Sequence, residues 1–162
     1  MRNPGLPLAL LFILFIGPHC KKDSCSPNPA ANEAAPIQAY AMANGMNITA
    51  HSSGLFYEII DPGSGATATL NSKIVITYTG KLLNGTIFDQ RINPNNTQTE
   101  GPESPWPLGQ LIEGWKVGIP LIKKGGRIKL LVPSAMAYGC TGYGSIPGDS
   151  PLFFDIQLVD IQ

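Results

Sequence analysis

Three residues with chemically useful side chains flank one predicted turn. Tyr78 lies near the end of an alternating segment, and Phe88 and Asp89 follow Asn84-Gly85, a dipeptide typical of hairpin turns. Because the chain reverses between them, we expect the phenol, the apolar ring and the carboxylate to converge on one small space. A pocket of this kind could hold an apolar group and orient a polar one.

Alternating apolar and polar residues predict the strands that position this hairpin. The pattern indicates strands over residues 55–61, 73–81, 87–89, from 126 onward and 152–161. In the strand after Gly126, Ile128, Leu130 and Val132 are expected to face inward and Leu131 outward. A sheet covered on one face needs a partner, and the segment Leu111 to Gly118 has helical character. We therefore expect an α+β fold, a curved antiparallel sheet wrapped around one short α-helix.

Length and composition limit the class of protein. The chain has 162 residues, which is typical of one folded domain. Lys plus Arg and Asp plus Glu number 11 each, and 14% of residues are charged, so no basic stripe is available for nucleic acid. With 43% hydrophobic residues, 18 Gly and 15 Pro, the composition favours a turn-rich domain with a packed core.

The N-terminal residues have the pattern of a targeting signal. Arg2 precedes an apolar run from Leu6 to Ile16, which is too short for a membrane span of roughly twenty residues. Residues 1–19 are therefore predicted to be a signal peptide. Cys20 follows directly and resembles the lipidated cysteine of bacterial lipoproteins, which predicts a membrane anchor there. The alternative is ordinary secretion, with Cys20 and Cys25 as linker thiols.

Residues 20–50 are predicted to be a tether with a short helix, followed by the main domain at 51–162. The stretch from Asp23 to Pro36 is rich in Ser, Pro, Asn and Ala, which is typical of a linker. Residues 37–44 favour a helix because Pro36 suits its start and Gly45 its end. Its apolar face is expected to pack on its own domain, and a second copy of the chain is the alternative partner.

The three cysteines do not suggest a disulfide framework. Cys20 and Cys25 lie close together in the predicted tether, whereas Cys140 lies in a Gly-rich loop. A bond between Cys25 and Cys140 would tie a flexible arm to the core, so we predict against it. His51 has no Cys or His neighbours at metal-ligand spacing. The sequence therefore predicts no metal site and no cofactor.

Several short motifs carry a family resemblance. Together they resemble the FKBP-type peptidyl-prolyl cis-trans isomerases over roughly residues 53–162, and the predicted leader, tether and helix resemble envelope-anchored bacterial forms. The motifs are Tyr78-Thr79-Gly80, Asn84-Gly85 with Phe88-Asp89, Pro107-Leu108-Gly109, Leu111-Ile112-Glu113-Gly114-Trp115, Gly126-Arg127, Pro133 with Ala137-Tyr138-Gly139, Ile146-Pro147 and Leu152-Phe153-Phe154-Asp155.

The resemblance implies a hydrophobic cage for a proline ring. It implies that Trp115 is the floor, that Tyr138 donates to a substrate carbonyl, and that Asp89 orients polar groups. Ser104 stands where an aromatic residue is common, so that wall is expected to be thinner or to be supplied by Trp106. The implied catalytic residues are Tyr78, Phe88, Asp89, Tyr138 and Phe154, and the implied substrate-binding residues are Trp106, Leu111, Ile112, Trp115, Tyr143 and Ile146.

This cage suits a reaction that moves no proton. Rotation about an X-Pro bond must break amide resonance across a barrier of roughly 18–20 kcal/mol, and an apolar pocket favours the less dipolar twisted amide. The implied partners are proline-containing polypeptides and macrolide inhibitors, at a bacterial envelope, where Lys21 after Cys20 favours the outer membrane. The alternatives are a chaperone that binds proline segments without turnover and a structural lipoprotein that reuses the fold.

Overall fold

The computed structural model describes residues 25–92 and 105–162 and contains one antiparallel sheet with two short α-helices. The expected α+β class is therefore confirmed. The predicted signal peptide, Cys20 and most of the loop from Gln90 to Pro105 lie outside the described residues. The strands are β1 (Thr49–Ala50), β2 (Phe56–Asp61), β3 (Lys73–Leu82), β4 (Ile87–Arg91), β5 (Trp106–Pro107), β6 (Arg127–Val132) and β7 (Leu152–Ile161), and the helices are α1 (Ala34–Ala43) and α2 (Glu113–Gly118).

Short 3₁₀ turns complete the described chain at Ala30–Glu33, Leu108–Gln110, Ile119–Leu121 and Ser134–Met136. The sequence pattern missed the two-residue strands β1 and β5, which are too short to show periodicity. In the described ranges, neither helix has the length and apolar character needed to cross a membrane.

The sheet brings distant parts of the chain to the same place. Its strand order is β1-β2-β6-β7-β3-β4, with β5 paired to β3. In the β3–β7 register Tyr78 lies opposite Ile156 and Gly80 opposite Phe154, and in the β3–β4 register Gly80 lies opposite Asp89. The long pair β3–β7 thus places the hairpin beside the C-terminal strand.

Helix α2 packs against the inner face of the sheet at very close range. Gly114 and Gly118 face β6, where a Cβ on Gly118 would lie 2.6 Å from Cδ1 of Leu130 and one on Gly114 would overlap Val132. Because glycine has no Cβ, the helix can approach closely enough to bury Trp115. The inner core is the larger cluster and includes Ile74, Ile76, Leu108, Ile119, Ile128, Leu130, Val132, Ile156 and Leu158.

The outer face of the sheet is also covered, which corrects the expectation of a one-sided sheet. Leu131 points outward as predicted, yet it is fully buried together with Phe56 and Phe153. Ile37 and Ala41 of α1 cover them. The predicted helix face therefore packs on its own domain, and the helix begins at Ala34, three residues before the predicted 37.

The segment before α1 is attached to the domain, and our expectation of a free tether over residues 25–36 was wrong. Cys25 forms a disulfide with Cys140, with the two Cα atoms 5.7 Å apart, which also overturns the prediction against this bond. Glu33 is buried and accepts hydrogen bonds from Ser134. A covalent bond and polar contacts hold this segment. A prediction from the number of apolar residues does not detect such contacts.

We expect Gly114→Ala to destabilise the protein although alanine is the better helix former. The usual gain of about 0.5–1 kcal/mol in a helix should be outweighed by the overlap with Val132, with a net loss of about 1–3 kcal/mol in the free energy of unfolding. Denaturant unfolding measures this difference. Because Val132→Ala removes the overlapping methyl groups, the two changes should be non-additive in the double variant. A stabilised Gly114→Ala protein would contradict the close-packing argument.

Candidate active site

One pocket collects most of the residues that the sequence singled out. It lies between the sheet and the N-terminal end of α2 and has a volume of about 160 Å³. All the predicted cage residues except Tyr143 and Ile146 line it. The lining residues are Tyr78, Phe88, Asp89, Trp106, Leu111, Ile112, Trp115, Tyr138 and Phe154.

Aromatic rings form the base of the pocket. The Trp115 ring is met edge-on by Tyr78, with centroids 5.0 Å apart, and by Phe154 at 5.2 Å. Phe154 is also met edge-on by Phe88 at 5.6 Å. Edge-to-face contacts of this kind are each worth about 0.5–1.5 kcal/mol beyond area burial. The rings therefore support one another in a firm apolar surface.

Trp106 supplies an aromatic wall of the pocket. Strand β5 places it opposite Ile74 of β3, and its ring lies nearly parallel to Trp115 at 6.3 Å, with an interplanar angle of 25°. The guanidinium carbon of Arg91 lies 5.4 Å from the Trp106 ring centroid. This cation–π contact stabilises the wall from the β4 side. Sequence reasoning missed Arg91, because nothing in the pattern indicated that β4 extends that far.

Asp89 is the one carboxylate in the lining, and Tyr78 holds it. The Tyr78 hydroxyl donates to Oδ2 of Asp89 over 2.5 Å. Gly80, opposite Asp89 in the sheet, leaves room for the neighbouring Phe88 ring, since a Cβ at position 80 would lie 2.7 Å from Cζ of Phe88.

Both tyrosines in the pocket are held in the protonated form. Burial raises the pKa of Tyr78 well above its usual value, and the hydrogen bond and negative charge of Asp89 raise it further. The pKa of Tyr138 is also raised, first by burial and then by the charge of Asp89 and by Tyr143. Because the Tyr78 hydroxyl donates to Asp89, the protonated Tyr138 phenol is the one of the two that can donate to a bound group near neutral pH.

Tyr143 and Ile146 line an adjoining cavity of about 180 Å³, which shares Phe88, Asp89 and Tyr138 with the main pocket. Ile146 is buried, whereas Tyr143 is 70% exposed. The Tyr143 ring stacks on Tyr138, with centroids 5.2 Å apart and planes 15° apart. Tyr143 and Ile146 therefore adjoin the site beside Tyr138 and do not line the main pocket.

The chemistry available in the described pocket is positioning and exclusion of water. Its lining contains phenols, one carboxylate and apolar side chains, and no cysteine, serine or histidine within the described residues. No nucleophile and base are paired there. Such a site can hold an apolar ring and direct donors and one negative charge at a neighbouring polar group.

Comparison with known proteins identifies the family. The sequence model of the FKBP-type peptidyl-prolyl cis-trans isomerases matches residues 65–159. The chain belongs to this family. The FKBP-type isomerase FkpA of Escherichia coli is 38% identical over 111 residues, which are 68% of this chain. A probable FKBP-type isomerase of Haemophilus influenzae is 37% identical over 121 residues, 74% of this chain.

Solved FKBP structures show the same fold. The crystal structure of FkpA from Escherichia coli superposes with a TM-score of 0.68 at 33% identity, covering 83% of this chain and 61% of that one. This chain spans only part of its curated relatives, 39% of the length of the Escherichia coli protein and 48% of the Haemophilus influenzae protein. Segments β1, β2 and α1 lie before the residues matched by the FKBP family model.

The raised tyrosine pKa values predict a loss of stability in alkali. Above about pH 10 the tyrosines of the unfolded chain ionise, whereas Tyr78 and Tyr138 have raised pKa values in the folded protein and ionise there at higher pH. The folded state then binds more protons, so the free energy of unfolding should fall as pH rises, by up to about 1.4 kcal/mol per pH unit for each group.

The measurement is denaturant unfolding from about pH 8 to pH 11, on the wild type and on Tyr78→Phe. The variant lacks one of the two groups, so its decline should be shallower. Equal slopes in the two proteins would show that Tyr78 ionises alike in the folded and unfolded states.

Proposed function

We propose that this FKBP-family chain catalyses cis-trans isomerisation of X-Pro peptide bonds in polypeptide substrates. The observation that carries the proposal is the Asp89 carboxylate held by Tyr78 at the edge of an aromatic pocket. Family membership supports the reaction type.

The physical basis is differential solvation of the twisted amide. Rotation about the C–N bond removes resonance, so the carbonyl becomes less dipolar and gains less from water. A pocket that excludes water therefore favours the transition state over the planar amide. Lowering the barrier by about 5.5 kcal/mol would accelerate the reaction about 10⁴-fold.

We assign the pocket residues roles in this reaction. Trp115 is the floor under the proline ring, and Tyr138 donates its hydroxyl to a substrate carbonyl. The backbone N–H of Ile112, at the N-cap of α2, binds another carbonyl. The apolar walls are Tyr78, Phe88, Trp106, Leu111, Ile112 and Phe154, and Tyr143 and Ile146 contact the chain beside the proline.

Asp89 acts through charge and position, not as a base. Bond rotation transfers no proton, and the carboxylate is already engaged by the Tyr78 hydroxyl. A fixed negative charge beside the rotating amide interacts differently with its planar and twisted forms, and the Tyr78 hydroxyl holds that charge in place.

We expect Asp89→Ala and Phe88→Ala each to lower kcat/KM by about ten- to a hundredfold on a proline-containing peptide, because each removes part of the environment of the twisted amide. A protease-coupled isomerisation assay measures the rate, and fluorescence titration measures binding of the same peptide. Asp160→Ala is the control, since Asp160 is an exposed carboxylate at the far end of β7 that pairs with Lys124.

Retained binding with no acceleration in the wild type would favour the proline-binding chaperone and overturn the isomerase. The same assay with a macrolide inhibitor tests a further proposal, that such ligands occupy this pocket and compete with the peptide. Undiminished turnover at saturating macrolide would contradict it.

We also propose that the chain is lipid-anchored at Cys20 in a bacterial envelope, with the outer membrane as its destination. The apolar run from Leu6 to Ile16 followed by Cys20 and Lys21 supports this. Metabolic labelling with a radioactive fatty acid should mark the wild type and leave Cys20→Ala unlabelled. Equal labelling of both would place the lipid elsewhere. A homodimer through residues 37–44 would have to use the exposed side of α1, which carries Met42.

A further inference from the structure

The segment Cys25–Glu33, here called the N-terminal strap, contacts the loop that carries Tyr138. The strap precedes the residues matched by the FKBP family model. That loop, residues 133–151, joins β6 to β7 and contains the turn Ser134–Met136. The strap therefore contacts the Tyr138 loop from outside the residues that the family model matches.

Glu33 is the buried end of this strap. Its side chain accepts hydrogen bonds from the Ser134 backbone N–H at 2.7 Å, from the Ser134 hydroxyl at 2.5 Å, and from Nδ2 of Asn28 at 3.0 Å. The residue is 3% exposed, and no cation pairs with it among the described residues. Burying a carboxylate is costly without such bonds, so the contact fixes the relative positions of strap and loop.

Ser134 is also hydrogen-bonded to the residues on either side of Tyr138. Its carbonyl oxygen accepts the backbone N–H of Ala137 at 2.9 Å and that of Gly139 at 2.8 Å. Through one residue, Glu33 is therefore linked to both neighbours of Tyr138. The Tyr138 side chain lines both cavities of the site.

A second anchor lies on the other side of Tyr138. The disulfide joins Cys25 to Cys140, two residues after the tyrosine. The strap also donates the Asn28 backbone N–H to Oδ1 of Asp149 over 3.4 Å. The attachment points at 134 and 140 thus bracket Tyr138 in the chain.

We propose that Glu33 is a positioning residue for the isomerase site, acting through Ser134 to hold the Tyr138 hydroxyl at the pocket, with the Cys25–Cys140 bond as the second fixed point of the strap. This rests on the proposed isomerase function. The N-terminal strap, which precedes the residues matched by the family model, thereby gains a role in catalysis. A purely structural role for the buried carboxylate is the competing explanation.

The test is a double-mutant cycle between Glu33 and Tyr138. Glu33→Ala should lower kcat/KM on the order of tenfold, since small misplacement of a contacting group has effects of this size or larger. In the Tyr138→Phe background the same change should have little further effect, because the hydroxyl that Glu33 positions is already gone. Equal losses in both backgrounds would overturn the proposal.

Glu58→Ala is the matched control. Glu58 also bridges a backbone N–H and a side chain, accepting from Asn47 N at 3.0 Å and from Lys129 Nζ at 3.3 Å, but it lies on β2 away from the loop. Its loss should leave kcat/KM unchanged. All assays run at a temperature where circular dichroism shows every variant folded. Glu33→Gln keeps the size of the side chain and one acceptor oxygen, so it should retain more of the wild-type rate than Glu33→Ala. It also replaces the alanine variant in the test if that variant does not fold.

Amide hydrogen exchange separates this proposal from the isomerase assignment. Glu33→Ala should speed exchange at the Ala137 and Gly139 amides, and the Cys25→Ser/Cys140→Ser protein should add to that effect. A wild type without isomerase activity but with these exchange changes would refute the proposed function and leave the strap contact standing. Unchanged exchange, or faster exchange with unchanged kcat/KM in an active enzyme, would overturn the positioning role.

Discussion

The close approach of α2 to β6 is the constraint on which the site depends. Two glycines face the sheet, and a Cβ at either would collide with Val132 or Leu130. This packing fixes the position of the Trp115 ring below the pocket. The rings of Tyr78, Phe154 and Trp106 contact Trp115 in that position. The position of the pocket floor thus depends on Gly114 and Gly118, which let the helix lie close to the sheet. The aromatic residues fill the space that remains above it.

The same floor controls the electrostatics of the site. Asp89 lies exposed at the pocket edge, and the Tyr78 hydroxyl donates to it through a short hydrogen bond. Burial raises the pKa of Tyr78, and the bond to Asp89 raises it further. Burial and then the charge of Asp89 also raise the pKa of Tyr138. One carboxylate and two protonated phenols therefore line the pocket. This combination can orient a bound polar group without transferring a proton to it.

Hydrophobic alternation was sufficient to predict the five longer strands, and the family motifs predicted the contents of the pocket. Both signals depend on the spacing of residues close together in the sequence, so they can be recognised without knowing the tertiary contacts. Prediction failed where a contact depends on distant residues. Leu131 and Phe153 have the spacing of outward-facing positions, and only the arrival of Ile37 from α1 explains why they are buried. Arg91 likewise becomes part of the site only because β5 brings Trp106 beside it. No periodicity in the sequence records such pairings.

The N-terminal segment shows why its composition was misleading. A linker rich in Ser, Asn and Pro contributes little apolar area, so on hydrophobic burial alone it should remain detached. Here the disulfide and the hydrogen bond from Ser134 to the Glu33 carboxylate hold the segment in place. Helix α1, which begins one residue after Glu33, then packs on the sheet. The disulfide and the Glu33–Ser134 hydrogen bond each join the segment to a partner more than a hundred residues away. Because these two partners flank Tyr138, the strap is attached to the pocket loop on both sides of that residue.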